Sequence, residues 1–447
     1  MAAPVQERKR VVILGGGFAG LNAALGLAKL PVDVTIVDRR NHHTFQPLLY
    51  QVALAVLSPA DIAQPIRSIV NRYPNVEVLM DEAAGFDTTA RHVLLKSGAQ
   101  LEYDYLIVAT GSTHSYFGHD EWSTLAPGLK TIEDATEIRR RVLLAFELAE
   151  RQMLETGVHP RLDFVVIGGG PTGVELAGAI SDIAKLYMKR DFRHIDPSQA
   201  HVLILEGSPH ILAAYPADLQ QKAIDQLHAL GVETRVNAHV SDIQPGYVMV
   251  GEEKIAAMVT LWAAGVQASP LGKLLGFETD RRGCVLVDPQ LNPEGFKEIF
   301  ICGDLAHVMQ DGKQVPGVAQ PAMQMGTYAA RSIGRDIAGK PRGDFRYFDK
   351  GDMATIGRKA AVAKIEWPFK AHLSGFPAWF TWLFVHIFFL IGFRNRLNVF
   401  REWAWTYLTF KDGVRLITGS HELPGWEAEH GLEVPKTEDR PATPAAP

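Results

Sequence analysis

Cysteine is scarce in this chain, in which only Cys284 and Cys302 occur among 447 residues. They stand too far apart for a CxxC redox or metal motif, and two cysteines cannot build a disulfide framework. Disulfides persist in oxidising environments and are rare in the cytosol, so this little cysteine favours a reducing compartment. A disulfide-rich secreted protein is therefore excluded.

The chain also lacks a net positive charge and an apolar segment at its N-terminus. The chain has 45 Lys and Arg against 50 Asp and Glu, a formal net charge of -5. That balance excludes a nucleic-acid partner bound mainly through its phosphates. The first residues, MAAPVQERKR, contain no apolar run of the kind that a secretory signal needs, so we expect no secretion. The length and a hydrophobic content of 47% indicate a globular protein of more than one domain.

Glycine, in contrast, is abundant at 40 residues, and the motif GGGFAG follows an apolar run at residues 11–14. This order predicts a strand that turns into a helix. Gly15 permits a tight turn, Gly17 lets the backbone approach a pyrophosphate, and Gly20 lets the helix pack against the strand. The helix N-terminus then faces the phosphates. The residues of this turn that we expect to contact a dinucleotide are Gly15, Gly17, Phe18, Ala19 and Gly20.

An acidic residue, Asp38, ends the next predicted strand, DVTIVD, where a carboxylate can hold a ribose hydroxyl. Strand, glycine turn, helix and acidic strand end make one complete dinucleotide-binding unit. The unit recurs, because LDFVVIGGGPTG places a second glycine pattern at Gly168, Gly170 and Gly173, and HVLILEG carries an acid at Glu206. No arginine follows that acid to neutralise a 2′-phosphate, so the second unit favours NADH over NADPH.

Further strands end in residues that suit a ligand. YLIVATG ends at Thr110 and Gly111, LWAAG ends at Gly265, and small residues there let the backbone approach a nucleotide. EIFICGD stops at Asp304, and the carboxyl ends of strands are where α/β sheets bind ligands. Between the two units, apolar residues at helical spacing predict a connecting helix over 131–154. Alternation over residues 76–96 predicts antiparallel strands.

A pair of amides stands in the motif VAQPAMQMG at residues 318–326, which leads into a helical stretch. Pro321 suits the first helical position. Gln320 and Gln324 lie four residues apart and so share one face of a turn. Such a pair at a helix start suits the binding of a neutral carbonyl, and a capped helix without that role is the alternative.

The C-terminal part changes character, because residues 373–393 carry no formal charge and approach the roughly 20 apolar residues that span a bilayer. Pro377 interrupts the start of this run, and Thr381 and His386 interrupt its middle. The basic and aromatic residues that follow are Arg394, Arg396, Arg401, Trp403, Trp405, Tyr407, Lys411 and Arg415. We expect monotopic binding to a membrane surface, with a span and a buried helix as alternatives. Residues 421–447, rich in Pro, Glu and Ala, are expected to be disordered.

Together these features resemble the bacterial type II NADH:quinone oxidoreductases, the NADH dehydrogenases that do not pump protons. The resemblance extends to about residue 420 and rests on FQPLLYQVA, GGGPTGVELAG, GDLAHV and AQPAMQMG. It implies an α/β, glutathione-reductase-like flavoprotein fold with two Rossmann-like domains and a membrane-associating helical region. The implied domains are an FAD-binding domain over 1–120 and 286–345, an NADH-binding domain with its linking helix over 121–285, and a membrane-anchoring region over 346–420.

The resemblance also implies the chemistry. FAD occupies the first unit and NADH the second, and two electrons pass through the flavin to a membrane quinone, ubiquinone or menaquinone. A homodimer at the cytoplasmic face of the inner (plasma) membrane is implied as well. The implied site residues are Asp304 at the flavin's ribityl chain, Ala319 beside the cofactor, Gln320 and Gln324 on the quinone side, and Glu175 near nicotinamide and flavin. For Glu175 a proton path is the implied role, and an ordinary helical glutamate is the alternative.

Other functions stay open on the sequence. A sulfide:quinone oxidoreductase needs a cysteine pair near the flavin, and Cys284 and Cys302 are the two available. Another pyridine-nucleotide flavoprotein reductase would not need residues 373–415, and a disulfide reductase would need a CxxxxC pair, which is absent from residues 21–70. A non-catalytic flavin- or NADH-binding membrane sensor would have no use for the glutamine pair. The flavoprotein pattern has threonine where this chain has Asn292, which weakens that one flavin contact.

Overall fold

The computed structural model describes residues 8–409 and 415–429. Strands and helices are numbered in chain order. The first segment contains β1 (Lys9–Leu14), α1 (Phe18–Leu27), β2 (Val32–Asp38), β3 (His42–Thr44), α2 (Leu49–Ala53), α3 (Pro59–Ile62), β4 (Ala63–Pro65), α4 (Ile66–Val70), β5 (Val76–Met80), β6 (Ala83–Asp87), β7 (His92–Leu95), β8 (Gln100–Glu102), β9 (Tyr105–Val108) and β10 (Ser112–His114). The second contains α5 (Ile132–Thr156), β11 (Asp163–Ile167), α6 (Pro171–Asp182), β12 (His201–Leu205), α7 (Ala217–Ala229), β13 (Val232–Arg235), β14 (Val240–Gln244), β15 (Gly246–Val250), β16 (Glu253–Ala257), β17 (Val259–Trp262), β18 (Val266–Ala268) and α8 (Leu271–Leu274).

The chain then returns to the first unit before it reaches its C-terminal region. The returning segment contains β19 (Val285–Leu286), β20 (Ile299–Ile301), β21 (Ala306–His307), β22 (Met309–Gln310), β23 (Lys313–Gln314) and α9 (Ala319–Ile337). The C-terminal region contains β24 (Gly351–Thr355), β25 (Ala361–Ile365), β26 (Ala371–Ser374), α10 (Phe376–Phe389), α11 (Phe393–Thr409) and α12 (Pro424–Glu429). Short turns of 3-10 or π helix lie at Gln46–Leu48, Asp120–Thr124, Ile183–Tyr187, Met188–Arg190, Pro197–Gln199 and Gly303–Leu305.

The first sheet is parallel and has five strands in the order β20-β9-β1-β2-β5. Because β20 comes from far along the chain, the first unit is built from two separate segments. Our prediction of antiparallel strands over residues 76–96 is correct for β6 and β7 but wrong for β5, which pairs parallel with β2 at the sheet edge. Val76 and Val78 are buried and alternate with more exposed residues, a pattern that an edge strand shows in either kind of sheet.

The second sheet repeats the arrangement with four parallel strands in the order β13-β12-β11-β17. In both units a central strand, a glycine turn and a helix lead to the neighbouring strand, so the motifs lie at the carboxyl ends of β1 and β11. Antiparallel pairing of β10 with β18 connects the two units. The two glycine turns therefore belong to one folded body with two nucleotide-binding edges.

Helix α5 is the predicted connecting helix, and it begins with a capping box between Thr131 and Asp134. Its apolar face is buried as predicted, but the polar residues Arg139–Arg141 are buried too. Arg139 donates to the carbonyls of Val52 and Leu57, and such paired donors are what make a buried guanidinium tolerable. These arginines fasten the helix to segments that are distant in sequence.

Helices α10 and α11 form a hairpin that has two different faces. Trp382, Leu390 and Val399 are buried in the core, with exposed fractions of 2%, 1% and 0%. Four phenylalanines of α10 that lie four residues apart are exposed, and we name them the aromatic stripe: Phe376, Phe380, Phe384 and Phe388. Among residues 8–409 and 415–429 no helix is long and apolar enough to cross a bilayer.

The segment after the hairpin returns to the second unit. Leu423 and Trp426 are buried, and Arg140 donates to the carbonyls of Ser420 and Glu422. Our prediction that residues 421–447 are disordered is therefore wrong for α12, because a buried tryptophan fixes a segment of otherwise tail-like composition. Residues 430–447 lie outside the described part of the chain, as do Lys411 and the side chain of Tyr407.

Candidate active site

The first glycine turn has the backbone geometry that the motif predicts. Gly15 has φ +99°, which favours glycine, and a Cβ added at Gly20 would lie 1.8 Å from the Gly15 carbonyl oxygen. A Cβ added at Gly17 would have no neighbour within 4 Å, so this backbone faces open space. Asp38 ends β2, and its carboxylate accepts a hydrogen bond of 2.6 Å from the Gly16 N–H. The turn leaves room for a pyrophosphate and has an acid at its edge.

The second turn repeats this geometry closely. Gly168 has φ +110°, and a Cβ at Gly173 would lie 1.9 Å from the Gly168 carbonyl oxygen. Gly170, like its counterpart, faces open space. Glu206 accepts hydrogen bonds from the N–H groups of Gly169, at 2.5 Å, and Ser208, at 2.7 Å. The structure therefore offers two equivalent dinucleotide cradles, each with its carboxylate at the expected place.

Helices α1 and α9 meet beside the first turn at Phe18 and Ala19. A Cβ at Gly326 would lie 2.0 Å from the Ala19 carbonyl oxygen, so only glycine allows this approach. The Phe18 ring contacts the rings of His43 and Phe45 edge to face. The close approach brings Ala319, the first residue of α9, to the same end of the first sheet.

Asp304 stands in the turn after β20, as predicted. Its carboxylate accepts a hydrogen bond of 2.7 Å from the Ser112 hydroxyl, and Lys130 Nζ lies 3.9 Å away. The hydroxyl of Thr110 is buried and has no hydrogen-bond partner among the described residues, and a buried polar atom of this kind suits a ligand atom. Gly111, with φ +68°, stands between Thr110 and Ser112 in the chain. These residues fit the flavin that the resemblance implies.

Asn292 has a different place from the one implied by the flavoprotein pattern. Its amide donates to the Ile299 carbonyl at 2.6 Å, and its oxygen accepts from Arg342 at 2.9 Å. The residue is buried, with an exposed fraction of 2%. Asn292 therefore fixes the loop before β20 rather than offering a free group to a ligand.

Glu175 projects from α6 into a cavity of about 140 Å³ between the two units. Burial raises the pKa of its carboxyl to about 8, and the carboxyl accepts a hydrogen bond of 3.4 Å from the Thr355 N–H. A carboxyl with this pKa is protonated at neutral pH and can release its proton within the physiological range. Other residues that line the cavity include Gln46, Tyr50, Lys130, Trp262 and Gly265.

A chain of hydrogen bonds joins this glutamate to the hairpin. The Tyr50 hydroxyl lies 2.8 Å from the Thr355 hydroxyl and accepts from the Gln51 amide at 3.0 Å. The Gln51 carbonyl in turn accepts from Trp403 Nε1 at 2.7 Å. Burial and the nearby Glu175 charge raise the pKa of Tyr50, so its hydroxyl stays protonated. Sequence reasoning missed this chain, although Tyr50 and Gln51 lie in the noted motif FQPLLYQVA.

The two glutamines line a second cavity, of about 640 Å³, together with Lys350 and Phe389. Gln324 exchanges two hydrogen bonds with the backbone of Phe348, so both of its amide groups are occupied. Gln320 donates to the Gly351 carbonyl, and its own Oε1 is buried and has no partner within residues 8–409 and 415–429. Pro321 is the third rather than the first helical residue, because α9 begins at Ala319. In the part of the chain that the structure describes, Gln320 alone of the pair has a side-chain polar atom without a hydrogen-bond partner.

Comparison with known proteins agrees with this site. Residues 9–326 match the pyridine nucleotide-disulphide oxidoreductase family model, and residues 350–412 match that of the NDH2 C-terminal domain. The chain is 42% identical over 427 residues to the type II NADH:quinone oxidoreductase Ndh of Mycobacterium tuberculosis, and 92% of this chain and 91% of that one are covered. The chain belongs to the type II NADH:quinone oxidoreductase family. As a member of it, the enzyme is FAD-dependent, oxidises NADH, reduces a quinone and does not pump protons.

Solved structures agree on the fold of this type II oxidoreductase. The NDH2 of Plasmodium falciparum in complex with NADH superposes with a TM-score of 0.81 at 20% identity, covering 92% of this chain and all of that one. The sulfide:quinone oxidoreductase of Aquifex aeolicus superposes with a TM-score of 0.70, also at 20% identity, over 90% and 95% of the two chains. At such identity both comparisons concern the fold alone.

The cysteines of this type II oxidoreductase are poor candidates for sulfur chemistry. Cys284 and Cys302 are both free and buried. Burial raises the pKa of the Cys284 thiol to about 11 and that of Cys302 further, so neither forms a thiolate at neutral pH. The resemblance to sulfide:quinone oxidoreductases thus does not extend to a reactive cysteine pair.

The raised pKa of Glu175 predicts a pH-dependent stability. The unfolded carboxyl ionises above its ordinary value of 4.5, whereas the folded one stays neutral until about 8. Between these values the unfolded state loses its proton first, so stability falls as pH rises, by at most about 1.4 kcal/mol per pH unit. We expect wild type to lose stability relative to Glu175→Gln between pH 5 and pH 8, measured by denaturant unfolding. A stability difference that is the same at pH 5 and pH 9 would contradict this pKa.

Proposed function

We propose that FAD lies along the first glycine turn and NADH along the second, with the reacting rings meeting in the cavity lined by Glu175. The open backbone at Gly17 and Gly170 and the unpartnered Thr110 hydroxyl support this placement. Asp38 and Glu206 would each hold a ribose hydroxyl, and Asp304 the ribityl chain. When bound, FAD supplies the chemistry that accepts a hydride from NADH and releases two electrons to a quinone.

The quinone, ubiquinone or menaquinone, is proposed to bind in the cavity beside Gln320 and Gln324. The observation that carries this proposal is that one cavity of about 640 Å³ contacts both the glutamine pair and Phe389 of the hairpin. A lipid-soluble substrate therefore has a route from the hairpin to the start of α9. Because Gln320 Oε1 is buried and unpartnered among the residues that the structure describes, it can accept a hydrogen bond from a hydroxyl of the quinol product.

Glu175 is proposed to hold the proton that the reduced quinone or the nicotinamide reaction requires. Its pKa of about 8 keeps it protonated at neutral pH. The Thr355 N–H fixes the carboxyl from the C-terminal region, and Tyr50 separates the glutamate cavity from a more apolar cavity lined by Trp382 and Trp403. Tyr50 thus forms part of the wall between the glutamate and the hairpin.

Monotopic attachment to the cytoplasmic face of the inner (plasma) membrane is proposed for the hairpin. The aromatic stripe supports it, because exposed phenylalanines on one face of a helix suit the headgroup and acyl boundary. Arg394 and Arg396 are exposed at the start of α11, where they can meet anionic headgroups.

A homodimer is proposed on the family resemblance alone. The return of β20 to the first sheet supports domains at 1–120 with 286–345, 121–285 and 346–420.

Anaerobic addition of NADH followed by a short-chain quinone tests the proposed function. We expect the flavin absorbance to bleach with NADH and to recover with quinone. Bleaching without recovery would contradict quinone reduction, and no bleaching would favour a sensor. Gln320→Leu is expected to leave bleaching unchanged and to slow recovery about tenfold, the equivalent of one hydrogen bond of ~1.4 kcal/mol. Gln221→Leu, at an exposed position of α7, is the matched control and should change neither step.

A further inference from the structure

Lys130 is a half-buried cation that the proposed function does not use. Its side chain has an exposed fraction of 20% and lines the same cavity as Glu175. Its Nζ donates to the Ser112 hydroxyl at 2.9 Å and lies 3.9 Å from the Asp304 carboxylate. Lys130 therefore stands between the residue proposed to hold the ribityl chain and the residue proposed to lie at the nicotinamide.

The backbone of Lys130 is fixed on both sides. Its N–H donates to the Asp134 carboxylate at 3.0 Å, and its carbonyl accepts from the Gln46 side chain at 3.3 Å. Asp134 also caps α5, so the position of Lys130 is tied to the first turn of a helix of 25 residues. These backbone anchors, together with the hydrogen bond from Nζ to Ser112, place the ammonium group at one wall of the cavity.

The charge of Lys130 is only partly balanced. Asp304 lies beyond hydrogen-bond distance, and the Ser112 hydroxyl stands between the two charges. Glu175 is neutral at neutral pH and offers no second negative charge. Among the described residues that line this cavity, Lys130 is the only lysine or arginine. Burial lowers the pKa of Lys130, and the charge of Asp304 acts in the opposite direction.

A positive charge here matters because the reaction creates a negative one. Hydride transfer moves two electrons and one proton from NADH to FAD, which leaves NAD⁺ and a reduced flavin with one additional negative charge. In a partly enclosed cavity the effective dielectric is lower than in bulk water, so a charge on its wall interacts with a developing charge more strongly than it would in water. A nearby ammonium group therefore stabilises the reduced flavin more than the oxidised one.

We propose that Lys130 sets the reduction potential of the bound flavin by stabilising the negative charge of its reduced form. This inference rests on the proposed placement of the flavin between Asp304 and Glu175. It assigns to Lys130 a role in the oxidation of NADH that is electrostatic rather than one of proton transfer. A purely structural partner of Asp304 would stabilise the fold and leave the flavin potential unchanged.

The test compares Lys130→Met and Lys130→Arg in FAD-loaded enzyme. We expect Lys130→Met to lower the flavin midpoint potential by at least about 30 mV, because a tenfold change in a two-electron equilibrium is 29.6 mV. Sulfite, which adds to oxidised flavin and leaves it negatively charged, should bind at least tenfold more weakly by its absorbance change. Lys130→Arg keeps the charge, so its sulfite affinity should stay within a factor of three of wild type and its midpoint potential within about 14 mV, the equivalent of that factor. Lys340→Met, at an exposed position after α9, is the control.

The outcomes separate this inference from the proposed placement. FAD retention is measured in parallel for Asp304→Asn, which removes the charge proposed to hold the ribityl chain. If Asp304→Asn weakens FAD binding while Lys130→Met leaves potential and sulfite affinity unchanged, the inference about Lys130 is wrong and the placement stands. If Asp304→Asn binds FAD like wild type, the placement and the inference fail together. If Lys130→Met loses FAD during purification, the midpoint potential and the sulfite affinity are measured on the fraction that has been reconstituted with FAD. These values are then compared with those of Lys130→Arg.

Discussion

Gly173→Ala is expected to abolish NADH oxidation while FAD stays bound, and Gly20→Ala is expected to yield protein that has lost FAD. At these positions a Cβ would lie 1.9 Å and 1.8 Å from a carbonyl oxygen of the same glycine turn. The neighbouring atoms are backbone, so the turn itself must move to make room. We expect at least a hundredfold fall in kcat/KM for NADH in Gly173→Ala, with the flavin absorbance of the purified protein unchanged.

The pair of variants decides which turn holds which nucleotide. The backbone geometry of the two turns is nearly the same, so a difference in their effects has to come from the ligands. Gly343→Ala is the matched control, because a Cβ there would meet no atom within 4 Å and its φ is not positive. Loss of FAD from Gly173→Ala, with FAD retained in Gly20→Ala, would reverse the assignment.

Replacing all four phenylalanines of the aromatic stripe by serine is expected to release the enzyme from membranes. These side chains have exposed fractions of 53%, 58%, 66% and 60%. A fully buried phenylalanine contributes about 1.5–3 kcal/mol, so four half-exposed rings contribute roughly 4 kcal/mol to membrane binding. We expect the partition onto lipid vesicles to fall at least a hundredfold, measured by co-sedimentation.

The same variant should keep its flavin and its NADH-dependent bleaching, because the stripe lies on the face of α10 opposite the buried Trp382. The control replaces exposed apolar residues elsewhere, namely Met80, Leu154, Leu274 and Met309, by serine. It should bind vesicles like wild type. High salt should not release wild type, since ions screen charges and not apolar contacts. Vesicle binding that survives loss of the stripe would contradict attachment through α10.

Local motifs made the nucleotide-binding edges predictable. A glycine turn after a strand and an acid after the next strand depend on neighbours close in sequence, so Gly15, Asp38, Gly168 and Glu206 could be placed from the sequence alone. The turns also repeat, and the repeat made each one more specific. The four-residue spacing of Gln320 and Gln324 at a helix start marked the glutamines locally. The family resemblance then directed attention to Glu175, which no local pattern marks.

Contacts between distant segments could not be predicted in this way. Thr355 reaches Glu175 across 180 residues, and Trp403 reaches Gln51 across 352. From the sequence alone Arg140 would be placed on the surface of α5, whereas in the folded chain it donates a hydrogen bond to the carbonyl of the distant Ser420. The prediction for edge strand β5 was wrong for a related reason. Whether β5 runs parallel is decided by the strand with which it pairs and not by its own sequence pattern. Only the folded chain shows which of its polar residues face one another.

The hairpin cannot be removed without changing the rest of the enzyme. Its inner face supplies Trp382, Leu390 and Val399 to the main core, and Trp403 completes the hydrogen bonding of Gln51 beside Tyr50. A shortened chain would expose that core to water and leave the Gln51 carbonyl without its donor. For anyone who needs a detergent-free preparation, the practical consequence is to keep the full chain and change the side chains that its outer surface presents.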